Sequence, residues 1–186
     1  MKVPMKIFQE PPPNLDETWT HGAVLGGMCG FSDQNIADSY FLAGDTLVAA
    51  LLSGNERGQD LVNPIMFLYR HGIELYLKVI VQPVDRNHSL GSLLEGFCKH
   101  VREQYQQKVP VWLTRPITEL ATFDPGSDLF RYEKTFPPKY SQRIQNGGEF
   151  WIDLKAISET MKHIRKAFRR VIIADATGEI PPSYMA

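Results

Sequence analysis

The sequence predicts an all-α protein, an up-and-down bundle of four or five helices preceded by an extended arm. Apolar residues recur at intervals of three and four along several long segments, which is the spacing of a helix with one buried face. No run of β-branched residues alternates with these segments, so a parallel α/β fold is disfavoured. The 186 residues, 43% of them hydrophobic and 22% charged, have the composition of one globular domain.

Capping residues and prolines set the predicted helix boundaries. Asn63 is placed to cap the second helix, with Pro64 in the first turn, where its missing N–H costs nothing. This helix should end before Gln82-Pro83, because the residue preceding a proline is pushed out of the α region. Asp153 is placed to cap the last helix. The predicted helices span about 32–53, 63–81, 88 or 89–107, 114–123 and 154–174.

The remaining segments divide the chain into three parts. Residues 1–30 are predicted to be an extended arm, because Pro11-Pro12-Pro13 favours a polyproline conformation. Residues 31–176 form the single bundle domain, and 177–186 a non-helical tail. Within the domain, glycine pairs and short aromatic runs predict a small β-hairpin near 129–152.

Charge and motif content narrow the function classes. The formal net charge is −1, so the whole molecule has no field that attracts nucleic acid or an anionic membrane. The N-terminal segment lacks the apolar core of a signal peptide, and no apolar run is long enough to span a membrane. We therefore expect a cytoplasmic protein that does not bind membrane. Because no phosphate-cradling glycine loop and no metal-ligand spacing is present, neither a cofactor nor a metal is expected.

The second predicted helix is apolar nearly all round, yet it carries a stripe of charged side chains. Arg70, Glu74 and Lys78 follow one another at intervals of four, and His71 lies three residues before Glu74, so all four share one face. One interpretation is a solvated stripe of weak ion pairs. The other is a cleft between helices, in which a phosphate bridges Arg70 and Lys78. Gly72 indicates that another backbone packs closely against this helix.

Three motifs along the chain resemble those of bacterial HEPN-like proteins. They are the string FLYRHGIELYLK over 67–78, then His88-Ser89-Leu90, and later Phe130-Arg131-Tyr132. The resemblance implies a helical bundle that is usually dimeric. It also implies a metal-independent endoribonuclease of a toxin–antitoxin or phage-defence system, or a non-catalytic binding module. RNA, a second copy of the chain, and an antitoxin or other protein are the partners it suggests.

The sequence departs from the nuclease signature of that superfamily, an arginine followed after four to six residues by a histidine. None of its five histidines has an arginine five to seven positions before it. The polar residues of the matching motifs are the alternative candidates for catalysis. The first candidates are Glu74, Lys78, His88 and Arg131, and the weaker ones are Arg70, His71 and Tyr132.

These candidates allow a catalytic and a structural interpretation. Metal-free RNA cleavage needs a base, which His88 or His71 can supply, and cations such as Lys78 and Arg131 for the developing phosphorane charge. Alternatively, His88 caps the third helix and Arg131 holds Glu74 in a buried pair.

The last helix adds a candidate nucleic-acid contact. Its basic residues either contact RNA phosphates or complement the dipole at the helix C-terminus. They are Lys162, Arg165, Lys166 and Arg169.

Overall fold

A computed structural model describes residues 8, 10–14, 16, 20, 22–25, 32–54, 57–84, 88–132, 140 and 149–179. Within these ranges the chain forms five α-helices and no strand, which confirms the predicted all-α helical bundle. The helices are α1 (Asp33–Leu52), α2 (Gly58–Val81), α3 (Leu90–Tyr105), α4 (Val111–Phe123) and α5 (Leu154–Thr177). The chain divides into two compact units, Met1–Ser32 and Asp33–Ala186, and all five helices belong to the second.

Helix α2 is the central element of the bundle. It packs against α1, α3 and α5, and its contact with α1 is the most extensive in the fold. The two helices approach closely because glycine replaces a side chain on each. A Cβ atom at Gly72 would lie 2.8 Å from the Phe41 ring, and one at Gly44 would lie 2.8 Å from the Tyr69 ring. The sequence predicted a neighbouring backbone at Gly72; the nearest group is the Phe41 side chain, and the Ala37 carbonyl oxygen of α1 lies 3.5 Å from that Cβ position.

Two helices begin earlier than predicted. Helix α2 starts at Gly58 with Arg57 as N-cap, so Pro64 lies inside the helix and not in its first turn. The added turn is stabilised by Leu61 and Val62, which pack against the core. Helix α4 starts at Val111, whereas the sequence predicted a start at residue 114. Starting there places Leu113, which is fully buried, on the inner face of the helix.

Helix α5 begins as predicted and ends later. The Asp153 carboxylate accepts a hydrogen bond from the Ala156 N–H at 2.9 Å, which is a regular N-cap. The helix continues past the predicted end at Ala174 to Thr177. Gly178 then stops it in the left-handed conformation.

The predicted hairpin lies mostly outside the described residues. Residues 129–132 form a turn and 149–152 have no regular structure, while 133–139 and 141–148 are not described. In the first unit, Asp16 and Thr20 have helical backbone, and the Thr20 hydroxyl donates to the Asp16 carbonyl at 2.7 Å. The prediction of an extended arm did not include this helical backbone.

Candidate functional site

Two members of the charged stripe of α2 lie inside the protein. Arg70 is 0% exposed and Glu74 is 1% exposed, although both are charged side chains in the middle of an apolar helix. The interpretation of the stripe as a solvated surface feature is therefore wrong for these two residues. An interior position is costly for a charge unless partners satisfy it, so the partners define this site.

The guanidinium of Arg70 donates hydrogen bonds from all three of its nitrogens to acceptors within the protein. Its Nη1 donates to Glu74 Oε2 at 3.1 Å and to the Ser127 hydroxyl at 2.6 Å. Its Nε lies 3.0 Å from Asp124 Oδ2, and Nη2 donates to the Asp124 carbonyl at 3.2 Å and to the His88 carbonyl at 3.4 Å. The predicted phosphate bridge between Arg70 and Lys78 is therefore wrong, because the buried guanidinium is already occupied by protein groups.

Glu74 connects this buried arginine to two side chains at the surface. Its Oε1 accepts hydrogen bonds from Lys78 Nζ at 2.8 Å and from His88 Nδ1 at 2.7 Å, and those two nitrogens lie 3.4 Å apart. Burial pushes the pKa of Glu74 upward, but the hydrogen bonds from Lys78 and His88 outweigh it and hold the pKa below its usual range. Glu74 is therefore an anion that orients both neighbours. We call Glu74, Lys78 and His88 the Glu74 cluster.

The His88 side chain is exposed despite this anchoring. Its exposed fraction is 65%, so the ring combines a fixed orientation with access to solvent. The ring does not cap α3, because the Ser89 side chain is the N-cap and accepts from the Ser92 N–H at 3.3 Å. The structural interpretation of His88 as a helix cap is wrong.

A turn after α4 brings Arg131 and Tyr132 into the same region. Asp124 Oδ1 accepts the backbone N–H groups of Asp128 and Leu129 at 2.9 and 3.0 Å. The N–H groups of Arg131 and Tyr132 in turn donate to the Asp128 carbonyl. Because Asp124 also binds Arg70, the turn is fastened to the buried arginine.

Arg131 is not the buried partner of Glu74. It is exposed, and its guanidinium carbon lies 5.7 Å from the centre of the Phe67 ring and 5.4 Å from the centre of the Tyr132 ring. Within the described residues Glu74 takes its arginine from its own helix, at Arg70. The predicted pair of Arg131 with Glu74 is therefore wrong, since the local i,i+4 partner already occupies the carboxylate.

His71 lies between aromatic rings beside the cluster. Its ring stacks on Phe67 with 5.7 Å between centroids and contacts the edge of Tyr40 at 4.5 Å. Its Nδ1 is 4.0 Å from Glu74 Oε2. Burial lowers the pKa of His71, and the neighbouring cations lower it further against the opposing effect of Glu74. His71 is therefore neutral at pH 7, and its packing makes it less accessible as a base than His88.

The basic residues predicted on the last helix are mostly paired with acids. Lys162 Nζ lies 2.7 Å from Glu159 on the same helix. Arg165 lies 2.6 Å and Arg169 3.7 Å from the Asp38 carboxylate of α1. Pairing within the described part of the chain thus reduces the positive field that the sequence indicated.

Sequence reasoning missed the partners that come from distant segments. Asp124 and Ser127 were not among the predicted site residues, although they complete the hydrogen bonding of Arg70. Asp38 was not singled out, yet it accepts the Tyr76 hydroxyl and pairs with Arg165. Local sequence gave no signal for Asp124, because aspartate is common in turns.

Comparisons with known proteins leave the family open. No family model, curated protein or solved structure matches the chain. The resemblance to HEPN-like proteins therefore stays a prediction from sequence. Among the described residues, no helix combines the length and apolar character needed to cross a membrane, and no group of histidines, cysteines and carboxylates could hold a metal ion.

Proposed function

We propose that this protein binds and cleaves RNA without a metal ion, using His88 as the base. One observation carries the proposal: a buried carboxylate, Glu74, accepts the Nδ1 hydrogen of an imidazole whose side chain is 65% exposed. A purely structural ion pair has no need to leave the ring accessible. A carboxylate that fixes one nitrogen of an exposed imidazole is the arrangement by which proteins prepare a general base.

The geometry defines the role of each nitrogen of His88. An ionised carboxylate only accepts hydrogen bonds, so Nδ1 carries the proton, and in the neutral imidazole Nε2 then has the free lone pair. Nε2 can then take the proton of a ribose 2′-hydroxyl. The 2′ oxygen attacks the adjacent phosphorus, the bond to the 5′ oxygen breaks, and that oxygen takes a proton from solvent. The products are a 2′,3′-cyclic phosphate and a 5′-hydroxyl.

Lys78 supplies the positive charge for this reaction. Its ammonium is 3.4 Å from His88 and is oriented by the same carboxylate oxygen. A fixed cation beside the base stabilises the charge that develops on the phosphorane oxygens. Arg70 lies behind Glu74 with its donors occupied, so it positions the cluster and does not contact substrate.

The biological setting follows from the sequence motifs alone. The similarity of residues 67–78 to HEPN-like proteins supports a role in a bacterial stress, toxin–antitoxin or phage-defence system. An antitoxin or other protein would then be the natural partner that keeps the activity in check.

Incubation with structured and unstructured RNA in EDTA tests the cleavage proposal. We expect products with cyclic phosphate ends from the wild-type protein, and at least a 100-fold rate loss, roughly the contribution of one general base, in His88→Ala. Glu74→Gln should lose activity as well, because the amide can donate to the ring and no longer fixes its tautomer. His163→Ala, which changes an exposed histidine of α5, is the matched control and should retain full activity. Absence of cleavage, or equal rates in His88→Ala and His163→Ala, would reject the proposal.

A non-catalytic dimeric module is the second candidate, and the outer face of α1 favours it. The charged residues of α1 are Asp33, Asp38 and Asp45, and the latter two bind side chains of α2 and α5. The exposed positions between residues 34 and 52 carry no charge and include Leu42, which is 60% exposed.

An uncharged face can meet its own copy across a two-fold axis without repulsion between like charges. Sedimentation equilibrium should show a dimer that Leu42→Arg converts to monomer. A monomeric wild-type protein would exclude this interface.

A further inference from the structure

A series of flat groups lies beside the Glu74 cluster. The Arg131 guanidinium lies over the Tyr132 ring at 5.4 Å and over the Phe67 ring at 5.7 Å. Phe67 is in turn stacked on the His71 ring, with only 7° between the two planes. Four planar groups thus contact one another in the order Tyr132, Arg131, Phe67 and His71. They come from two separate segments, 67–71 of α2 and 131–132 of the turn.

The outer members of this series are accessible. Tyr132 is 59% exposed and Arg131 is exposed as well. Phe67 and His71 are half-buried and form the base on which the outer groups rest. The exposed end of the series offers π surface and positive charge together.

The series is fixed relative to the Glu74 cluster. His71 Nδ1 lies 4.0 Å from Glu74 Oε2, while the other oxygen of that carboxylate binds His88. Arg70 holds the turn that carries Arg131 through Asp124, and it holds the His88 backbone through its carbonyl. The planar groups and the proposed base are therefore parts of one connected set of contacts.

We propose that Tyr132 and Arg131 form a stacking site for an unpaired nucleobase of the RNA strand that is presented to His88. The site rests on the proposed RNA cleavage and adds its substrate class, which is single-stranded RNA or an unpaired loop. Unpaired bases stack on aromatic rings and on arginine planes, and such sites tolerate any base because each has a π face. The stacked base would orient the neighbouring phosphodiester toward His88 and Lys78.

Binding and cleavage are measured separately to test this site. The chain carrying His88→Ala serves as the non-cleaving background, and fluorescence anisotropy reports its affinity for an unstructured RNA of about ten nucleotides. The second probe is an abasic strand of the same length and charge. We expect Tyr132→Ala to weaken binding of the base-containing strand by between about five- and a hundred-fold, and to leave binding of the abasic strand unchanged. Tyr132→Phe should bind like its parent, because the ring is kept.

Two controls exclude loss of fold and a general effect of removing an aromatic side chain. The melting temperature of Tyr132→Ala should equal that of its parent, since the side chain is exposed. Trp151→Ala removes another exposed aromatic ring, before α5, and should leave both affinities unchanged.

The outcomes separate the stacking site from the cleavage proposal. Equal affinity of Tyr132→Ala and its parent for the base-containing strand would overturn the stacking site, even if the wild-type protein cleaves RNA. Base-dependent binding that requires Tyr132, without cleavage by wild type, would support the site and reject His88 as a base. Failure of both strands to bind would overturn the site whatever the cleavage result.

Discussion

Two groups of charged side chains, one on α2 and one on α5, look alike in sequence and differ completely in the folded protein. Arg70 is fully buried and is bound by Glu74 and Asp124 from both sides. The side chains of Lys162 and Arg169 on α5 are each 51% exposed, and their acid partners Glu159 and Asp38 are 60% and 17% exposed. The difference arises because α2 is surrounded by other helices, whereas α5 has one outer face.

The contrast shows which of the two groups can hold catalytic side chains in a fixed geometry. A buried ion must be satisfied in a defined geometry, so its partners are held rigidly. A surface ion pair is weak and screened by salt, and its side chains can change conformation at little cost. A function that needs placed atoms therefore belongs with the Glu74 cluster. A function that needs only positive charge belongs with α5.

The largest expected effect comes from breaking the buried group. Arg70→Ala should lower the free energy of unfolding by about 3–5 kcal/mol, because it leaves Glu74 and Asp124 charged in the interior without their cation. Urea unfolding followed by circular dichroism measures the loss. The exposed pair of Arg57 with Asp60 provides the control, and Arg57→Ala should change stability by less than about 1 kcal/mol. Similar effects of the two substitutions would mean that burial does not distinguish these pairs.

A smaller effect should appear when pH is lowered. Burial and the nearby cations lower the pKa of His71 in the folded protein. Below the ordinary histidine pKa of about 6.5 the unfolded chain therefore binds a proton that the folded protein resists. The contribution of His71 to stability is complete above that pH and is lost as the pH falls below it.

Thermal unfolding between pH 7.5 and 5 measures this dependence. His71→Gln should give a flatter profile of melting temperature against pH than wild type over that window. His163→Gln, on the outer face of α5, should leave the profile unchanged. A wild-type melting temperature that rises toward pH 5 would contradict the expected loss of stability.

Glu74 should cause a second loss of stability at lower pH. The loss should begin as the pH falls below about 4.3, the ordinary pKa of glutamate, because the folded protein holds the pKa of Glu74 below that value.

Much of the bundle and part of the site follow from local sequence. The helical periodicity places α2, and the interval of four residues alone predicts that Glu74 contacts Arg70 and Lys78, as the structure shows. His88 was a candidate alongside Glu74 on the basis of the motifs, and the structure joins the two by a hydrogen bond of 2.7 Å. The sequence therefore predicts contacts between residues of the same helix well.

The remainder depended on contacts between distant segments. Asp124 follows Arg70 by 54 positions, and no local pattern says that its carboxylate turns inward. Once Asp124 and Ser127 satisfy Arg70, the arginine is unavailable to a phosphate. Arg131 is not needed as a partner of Glu74, because Arg70 already pairs with that carboxylate from the same helix. Both wrong predictions therefore concern the partners of one buried arginine. The starts of α2 and α4 were wrong because burial of Leu61, Val62 and Leu113 outweighed the capping and proline signals.

The smallest expected effect concerns α5. It tests whether ion pairing reduces the attraction of the basic side chains of α5 for RNA phosphates. Lys166 is exposed and has no acidic partner within the described part of the chain, whereas Lys162 is bound to Glu159. If single-stranded RNA contacts this face, Lys166→Ala should lower the slope of log affinity against log salt by about 0.7, the value for one phosphate contact. Lys162→Ala should lower it less, because part of its charge is already neutralised. Both substitutions should leave the melting temperature close to that of wild type, because both side chains are exposed. Equal reductions would show that a surface pair opens freely to bind phosphate, and unchanged slopes would exclude α5 as an RNA contact. Neither outcome would apply to Arg70, because its acceptors are buried with it and an RNA phosphate cannot replace them.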